Sequence, residues 1–401
     1  MQGCQPEPFP ATVYSVIFYF LGTKMKAQVI LQLLGLAATA AAVPPRPEQG
    51  EETFLVQLET GQRWVTQEEK RSLRLAGTGF IDKTYSPNLD ASSLTAAAKK
   101  YTYPSSASHD AAVKPLFSSL STDLLKSRLT TFSEFQNRYY KGGYGAQSSA
   151  WLLDIVNATL VEAGVTSSLG ATVEAFSHPK WNQDSVIAKI PGKTASTIVI
   201  GAHQDSVNWK ASNQQTSRAP GADDNGSGSM TILESLRVYL TSPEVLAGEA
   251  VNTVEFHWYS AEEAGLLGSQ AVFDAYAAEG RDVAAMLEQD MTGYSAGMQT
   301  ETLGVVTDYV NKELTEFIKM IVDTYCDIPY AETKCGYACS DFASATEAGY
   351  QSAFVIEAPF EKTSPYIHSS EDTLATVNYA HMVQHGQMTL GFVFELAFTE
   401  F

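Results

Sequence analysis

The sequence predicts an α/β fold, with a mostly parallel central β-sheet flanked by helices on both faces. Two observations carry that reading. Strand-like apolar runs alternate with helical periodicity between residues 185 and 398, and short acidic clusters stand at the ends of those runs. Strands that alternate with helices imply a parallel sheet covered on both sides. In such sheets ligands bind beyond the carboxyl ends of the strands, so the clusters should meet on one rim.

The N-terminal stretches come first. An apolar run from Val13 to Leu21 is followed at once by Lys24, Met25 and Lys26. Residues 25–42 then have the plan of a secretory signal peptide: Lys26, an apolar core over 29–36, and small residues over 37–42. Met25 is therefore expected to be the true start, and 1–24 a leader foreign to the native chain. One long signal anchor is the alternative. Residues 43–100 open with Pro44-Pro45-Arg46-Pro47, are charged, and end on the dibasic pair Lys99-Lys100. They read as a removable propeptide cut somewhere between about 84 and 103, with a solvated extension as the alternative. Residues 101–401 are expected to form one catalytic domain.

Within that domain, 110–164 is helical by the recurrence of Leu116, Leu120, Leu124, Leu125, Trp151, Leu152, Ile155, Val156 and Leu160. Strands are expected near 171–176 and 185–190, and at the run Ile198-Val199-Ile200. The alternation continues with a helix over 226–240, a strand over 251–259, a helix over 263–278 and a strand over 283–289. A helix over 309–325, a strand over 353–357 and a long helix over 375–398 complete it.

Composition narrows the function classes. Hydrophobic residues make up 44% of the chain, enough for a full core, and no run after Ala42 is apolar for the roughly 18 residues of a membrane span. The net charge of −19 argues against nucleic acid or an anionic membrane surface as partner.

Three acidic clusters follow apolar runs. They are His203-Gln204-Asp205, then Asp223-Asp224 before Asn225-Gly226-Ser227-Gly228, then Glu262-Glu263; Asp290 follows the run 283–289. His368 adds a second imidazole. Neutral imidazole and carboxylate oxygen are zinc ligands. Two histidines and three carboxylates suffice for two metals if one carboxylate bridges them.

These motifs, with Ile367-His368 and the stretch 333–341, resemble the M28 family of dizinc aminopeptidases, and more narrowly its secreted fungal and marine-bacterial members. The resemblance runs from about Ser118 to the C-terminus. It implies a zinc exopeptidase fold, two Zn2+ ions and a secreted, extracellular enzyme. The expected substrates are peptides with a free N-terminus, preferably beginning with leucine or another apolar residue.

Position by position, the resemblance assigns His203 and Asp290 to one zinc and Glu263 and His368 to the other. Asp224 bridges them, since it directly precedes the Asn-Gly-Ser-Gly element, and Asp223 is a loop or helix-start residue. Asp205, two residues beyond His203, fits a carboxylate that orients the imidazole through its other nitrogen. Glu262 is left as general base and acid, taking a proton from zinc-activated water and returning it to the leaving amine. Tyr337 stands where the family has a tyrosine that can hydrogen-bond the oxyanion. Met291, Phe360 and Ile367 match an apolar pocket, although Ile356 stands where the bacterial relative has a large aromatic.

Cys335 and Cys339 can close a tight loop and are expected to form a disulfide, as they do in the family; Cys326 is left unpaired on the buried face of a helix. Asn157-Ala158-Thr159 is a glycosylation sequon. His381 and His385, one helical turn apart, read as a polar helix face. A monomer is expected. Two other readings stay open. One is another hydrolase or acyltransferase on the same scaffold, such as a carboxypeptidase or a glutaminyl-cyclase-like enzyme. The other is a non-catalytic ectodomain.

Overall fold

The computed structural model describes residues 44–47, 50–86 and 99–401. The expected leader and signal peptide, and the middle of the window expected to hold the cut, lie outside the described residues.

The stretch read as a propeptide, with a solvated extension as the alternative, is folded over most of its described length. Strands β1 (Thr53–Leu58), β2 (Gly61–Thr66) and β3 (Ile81–Asp82) form an antiparallel sheet in the order β2-β1-β3. Helix α1 (Gln67–Leu75) starts on a capping box, in which the Thr66 side chain accepts from the Glu69 amide and Glu69 reaches back to the Thr66 amide. Phe54, Val56, Val65 and Phe80 make its small core. The fully buried Lys70 joins it to the larger domain, pairing with Asp82 at 2.6 Å and donating to the Ala264 carbonyl.

The central sheet has eight strands: β4 (Thr172–Phe176), β5 (Ser185–Ile190), β6 (Thr197–His203), β7 (Thr253–Tyr259), β8 (Val283–Gln289), β9 (Leu303–Val306), β10 (Tyr330–Thr333) and β11 (Ser352–Ile356). Their order is β10-β9-β11-β8-β6-β7-β5-β4, and the middle strands β11, β8, β6 and β7 run parallel. Side-chain alternation splits the core in two. Ile198, Ile200, Ala285 and Leu287 face the larger cluster, while Val199 and Met286 face the other. Helices α2 (Thr122–Glu134), α3 (Gly143–Glu162), α4 (Gly226–Tyr239), α6 (Lys312–Tyr325) and α7 (Tyr379–Ala397) build the first face; α5 (Leu267–Ala278) builds the second. No helix among the described residues is long and apolar enough to cross a membrane.

Several boundaries differ from expectation. Helix α5 begins at Leu267 rather than 263, because residues 261–266 make a tight turn with Ala261, Gly265 and Leu266 all at positive φ. Asn311 and Asn378 cap α6 and α7 with their side chains and delay both starts. Strands β9 and β10 were not expected; each has four residues, too few for a clear period. His381 and His385 do not form a polar face. Both are buried, with His381 Nε2 on the Glu357 carbonyl and His385 Nδ1 on Gln289 Oε1. Cys326 is the C-terminal cap of α6, half-buried, with its thiol on the Gln384 carbonyl.

Helix α4 approaches the end of β8 so closely that Gly228 is required. A Cβ there would lie 2.2 Å from both Asn225 Oδ1 and the Gln289 carbonyl oxygen. Gly228→Ala should therefore destabilise the fold by about 1–3 kcal/mol, the usual cost of forcing atoms into a filled core. Denaturant unfolding of the metal-free variant beside the parent measures it.

Candidate metal centre

Each charged side chain of the centre is delivered by the carboxyl end of a middle strand or by a turn held against it. His203 ends β6, Glu262 and Glu263 lie in the turn after β7, and Asp290 directly follows β8. Asp224 precedes Asn225, the N-cap of α4, whose side chain accepts from the Gly228 amide. His368 comes from the long loop between β11 and α7. Three residues of these turns, Ala261, Met291 and His368, hold φ between 55° and 60°. Such backbone costs about 1–3 kcal/mol per residue and persists only where its surroundings enforce it.

The side chains converge. Asp224 Oδ1 lies 3.1 Å from His203 Nε2, and Asp224 Oδ2 lies 3.1 Å from His368 Nε2. His203 Nε2 is also 3.2 Å from Asp290 Oδ1, and His368 Nε2 is 3.1 Å from Glu263 Oε2. The result is two groups, His203–Asp224–Asp290 and Asp224–Glu263–His368, each with its ligand atoms within 4.8 Å of one another and with Asp224 in both.

The donors suit zinc. Apart from its approach to His203, Asp290 Oδ1 is buried without a hydrogen-bond partner, as a metal ligand would be. Charge balance points the same way. Burial disfavours both imidazolium forms, yet the surrounding carboxylates outweigh it and raise His203 and His368 well above the usual histidine range. So much buried negative charge calls for a cation.

Asp205 sits behind His203, with Oδ1 3.4 Å from Nδ1. It also accepts the backbone amides of Glu262 at 3.0 Å and Glu263 at 3.3 Å. One buried carboxylate thus lies between an imidazole and the acidic turn. Glu262 Oε2 is 4.0 Å from His203 Nε2 and belongs to neither ligand group. Burial pushes its carboxyl well above the ordinary range; His203 opposes the shift, and Asp290 and Asp341 add to it. Asp223 faces away from the imidazoles. Its Oδ1 accepts the Gly293 amide, and burial raises it to about 6 against the opposing hydrogen bond to Glu357.

A cavity opens over these groups. Its apolar wall is Met291, Phe354, Ile356, Phe360 and Ile367, and the Cys335–Cys339 disulfide with Tyr337 forms another side. The expected pocket residues are thus brought together, and Phe354 and Ile356 join them. Asn157 lies away from this centre, exposed on α3.

Sequence reasoning missed Arg74. This residue of α1 lines the same cavity, stacks over Phe80 at 4.4 Å and donates to the Tyr337 hydroxyl at 3.3 Å. Burial works against its charge, while Tyr337, Glu262 and Glu263 support it. Gly79 lies against the Tyr337 ring so closely that a Cβ would come within 2.1 Å of it. A basic residue in a charged helix gives no signal of this in the sequence. Asp372 was also missed; it accepts the backbone amides of Asp223 and Asp224.

Comparison with known proteins agrees with this geometry. The model of peptidase family M28 matches residues 185–393. Leucine aminopeptidase 1 of Leptosphaeria maculans is 49% identical over 394 residues, covering 94% of this chain and 100% of its own. The structure of the LapA aminopeptidase of Legionella pneumophila is similar with a TM-score of 0.74 at 27% identity, over 88% of this chain and 95% of that one. The glutaminyl cyclase of Porphyromonas gingivalis shares the fold, with a TM-score of 0.54 at 16% identity over 69% of this chain and 98% of its own. On its sequence, its sheet and the residues gathered at its carboxyl edge, the chain belongs to peptidase family M28.

Proposed function

We propose that the protein is a secreted aminopeptidase that removes N-terminal leucine and other apolar residues from peptides, using two zinc ions and Glu262 as general base. The observation that carries this reading is Asp224, whose two oxygens each face a different imidazole. His203 and Asp290 would hold one ion with it, and Glu263 and His368 the other. Zinc there supplies the acidity that activates water and the charge that polarises a carbonyl. Glu262, close to both groups yet outside them, takes the proton from the attacking water and returns it to the leaving amine. The Tyr337 hydroxyl donates to the oxygen that gains charge. Asp205 holds His203 and the Glu262–Glu263 turn in register. The apolar wall of the cavity suits a leucine-like side chain.

A carboxypeptidase reading is weaker, because it needs a cation for the terminal carboxylate. The guanidinium that lines the cavity is that of Arg74, in the segment expected to be removed. Metal content, with hydrolysis of a leucyl chromogenic amide beside its N-blocked analogue, tests the whole reading. Equal cleavage of the two amides would refute an aminopeptidase.

Glu262→Gln should keep the fold and the bound zinc but lose on the order of 10²–10⁴-fold in kcat, with KM little changed, since Gln cannot accept the proton. Glu263→Gln should instead lose metal along with activity. Metal analysis by mass spectrometry, with steady-state kinetics, separates the two; zinc loss in Glu262→Gln alone would reverse the assignments.

Residues 43 to about 100 are read as a removable segment that restrains activity. The support is Arg74, which fills part of the cavity and occupies the Tyr337 hydroxyl. Hydrogen bonds to charged groups contribute about 1.5–3 kcal/mol, or roughly ten- to hundredfold. Arg74→Ala in the uncut chain should raise hydrolysis of the leucyl amide by about that factor. Equal activity of cut and uncut parent protein would remove the restraint from the reading.

A further inference from the structure

Asp224 can face both imidazoles only if its backbone is held still. Its own side chain is committed to the two histidines, so the restraint must come from elsewhere. The structure supplies it through the loop that carries His368. Asp372, four residues on, is buried and does not line the cavity. Its Oδ1 accepts the Asp223 amide at 2.9 Å and its Oδ2 accepts the Asp224 amide at 3.0 Å. Its backbone carbonyl accepts the Ala222 amide at 3.2 Å. Three successive amides of the Asp224 loop therefore end on one residue.

The clamp has its own support. The buried guanidinium of Arg138 donates to the Gly221 carbonyl at 2.8 Å and the Gln204 carbonyl at 2.7 Å, and also to the Pro220 carbonyl. It therefore grips the same loop from its other side. Among the charges acting on Arg138, that of Asp372 is the largest. A buried carboxyl is tolerated when it is hydrogen-bonded; burial and the neighbouring Asp223 and Asp224 push Asp372 well above the ordinary range, and the two amides it accepts oppose that shift.

We propose that Asp372 is a positioning residue for the metal centre, clamping the amides of Asp223 and Asp224 so that one carboxylate reaches both metal positions. The proposal rests on the reading of Asp224 as the shared ligand. It assigns Asp372 no contact with substrate or metal. Its effect passes through the backbone of Asp224 and, along its own loop, to His368. Loss of the clamp should loosen both metal positions together, whereas loss of Glu263 or Asp290 should loosen mainly one.

The test is zinc titration of the metal-free full-length chain, with the visible spectrum of the cobalt(II)-loaded protein as a second readout. Asp372→Asn keeps the shape but turns an NH2 group toward one of the two amides. Residues that orient metal ligands typically change metal affinity by about 10–100-fold. Zinc affinity should fall by that factor at both positions, and the cobalt spectrum should shift. Asp372→Glu keeps both acceptor oxygens on a longer arm and should show the same direction with a smaller loss. It takes over as the test if the Asn variant does not fold. A folded variant with unchanged zinc affinity and cobalt spectrum overturns the proposal, as does loss at one position only. If neither variant folds, by circular dichroism of the metal-free protein, Asp372 is a folding residue and the proposal falls. Asp224→Ala, run in parallel, keeps the two questions apart. If it retains full zinc at both positions, the shared-ligand reading itself is wrong. If it loses zinc while Asp372→Asn does not, only the clamp is wrong.

Discussion

One carboxylate facing two imidazoles is the constraint on which the centre depends. Asp224 must present one oxygen to each histidine, 3.1 Å away on either side. A small rotation of its backbone would spoil both contacts. The surroundings remove that freedom. Asn225 caps α4 directly behind it, Gly228 lets the helix close on the end of β8, and Asp372 holds its own amide and that of Asp223. The positive φ values of Ala261, Met291 and His368 belong to the same scheme, since strained turns are kept where packing leaves no alternative.

Charge is the second consequence of that geometry. Asp205, Asp224, Glu262 and Glu263 are all buried around two imidazoles. Behind them Asp223 meets Glu357, and Glu357 accepts the Tyr294 and Ser364 amides. Burial drives Glu357 well above the usual carboxyl range. Backbone amides and the buried guanidinium of Arg138 offset part of this field. The rest is what makes the cavity attractive to cations, whether metal ions or the guanidinium of Arg74.

The fold and the gathering of the candidate ligands were legible in the sequence for a physical reason. Strands buried on both faces read as continuous apolar runs, and a metal centre admits few residue types, here placed at the ends of those runs. What escaped reading lacks such a signature. Helix α1 is rich in Glu, Lys and Arg, so it reads as a solvated face, yet Lys70 is fully buried on Asp82 and Arg74 lies in the cavity. Asp372 works by accepting backbone amides, which leaves no pattern in the residues it holds. His381 and His385 share the spacing of a polar stripe, but each finds its own partner inside the core. Strands β9 and β10 are too short to show a period.

Helix α7 carries one more implication. Nearly all of it is buried, including Met388, Leu390, Phe392 and Phe394, and Asn252 beside β7 donates to the Leu396 carbonyl in its last turn and the Thr399 carbonyl beyond it. The part of the sheet face that packs on α7 therefore lacks that helix until residues 379–399 have been made. The β1–β3 unit emerges long before, but its buried Lys70 meets the Ala264 carbonyl only after β7 has been made. Asp205, Asp224 and Glu263 follow in turn, and Asp224 and Glu263 wait for the His368 imidazole that each faces. The order of synthesis thus has the cover made first and the site it covers completed last.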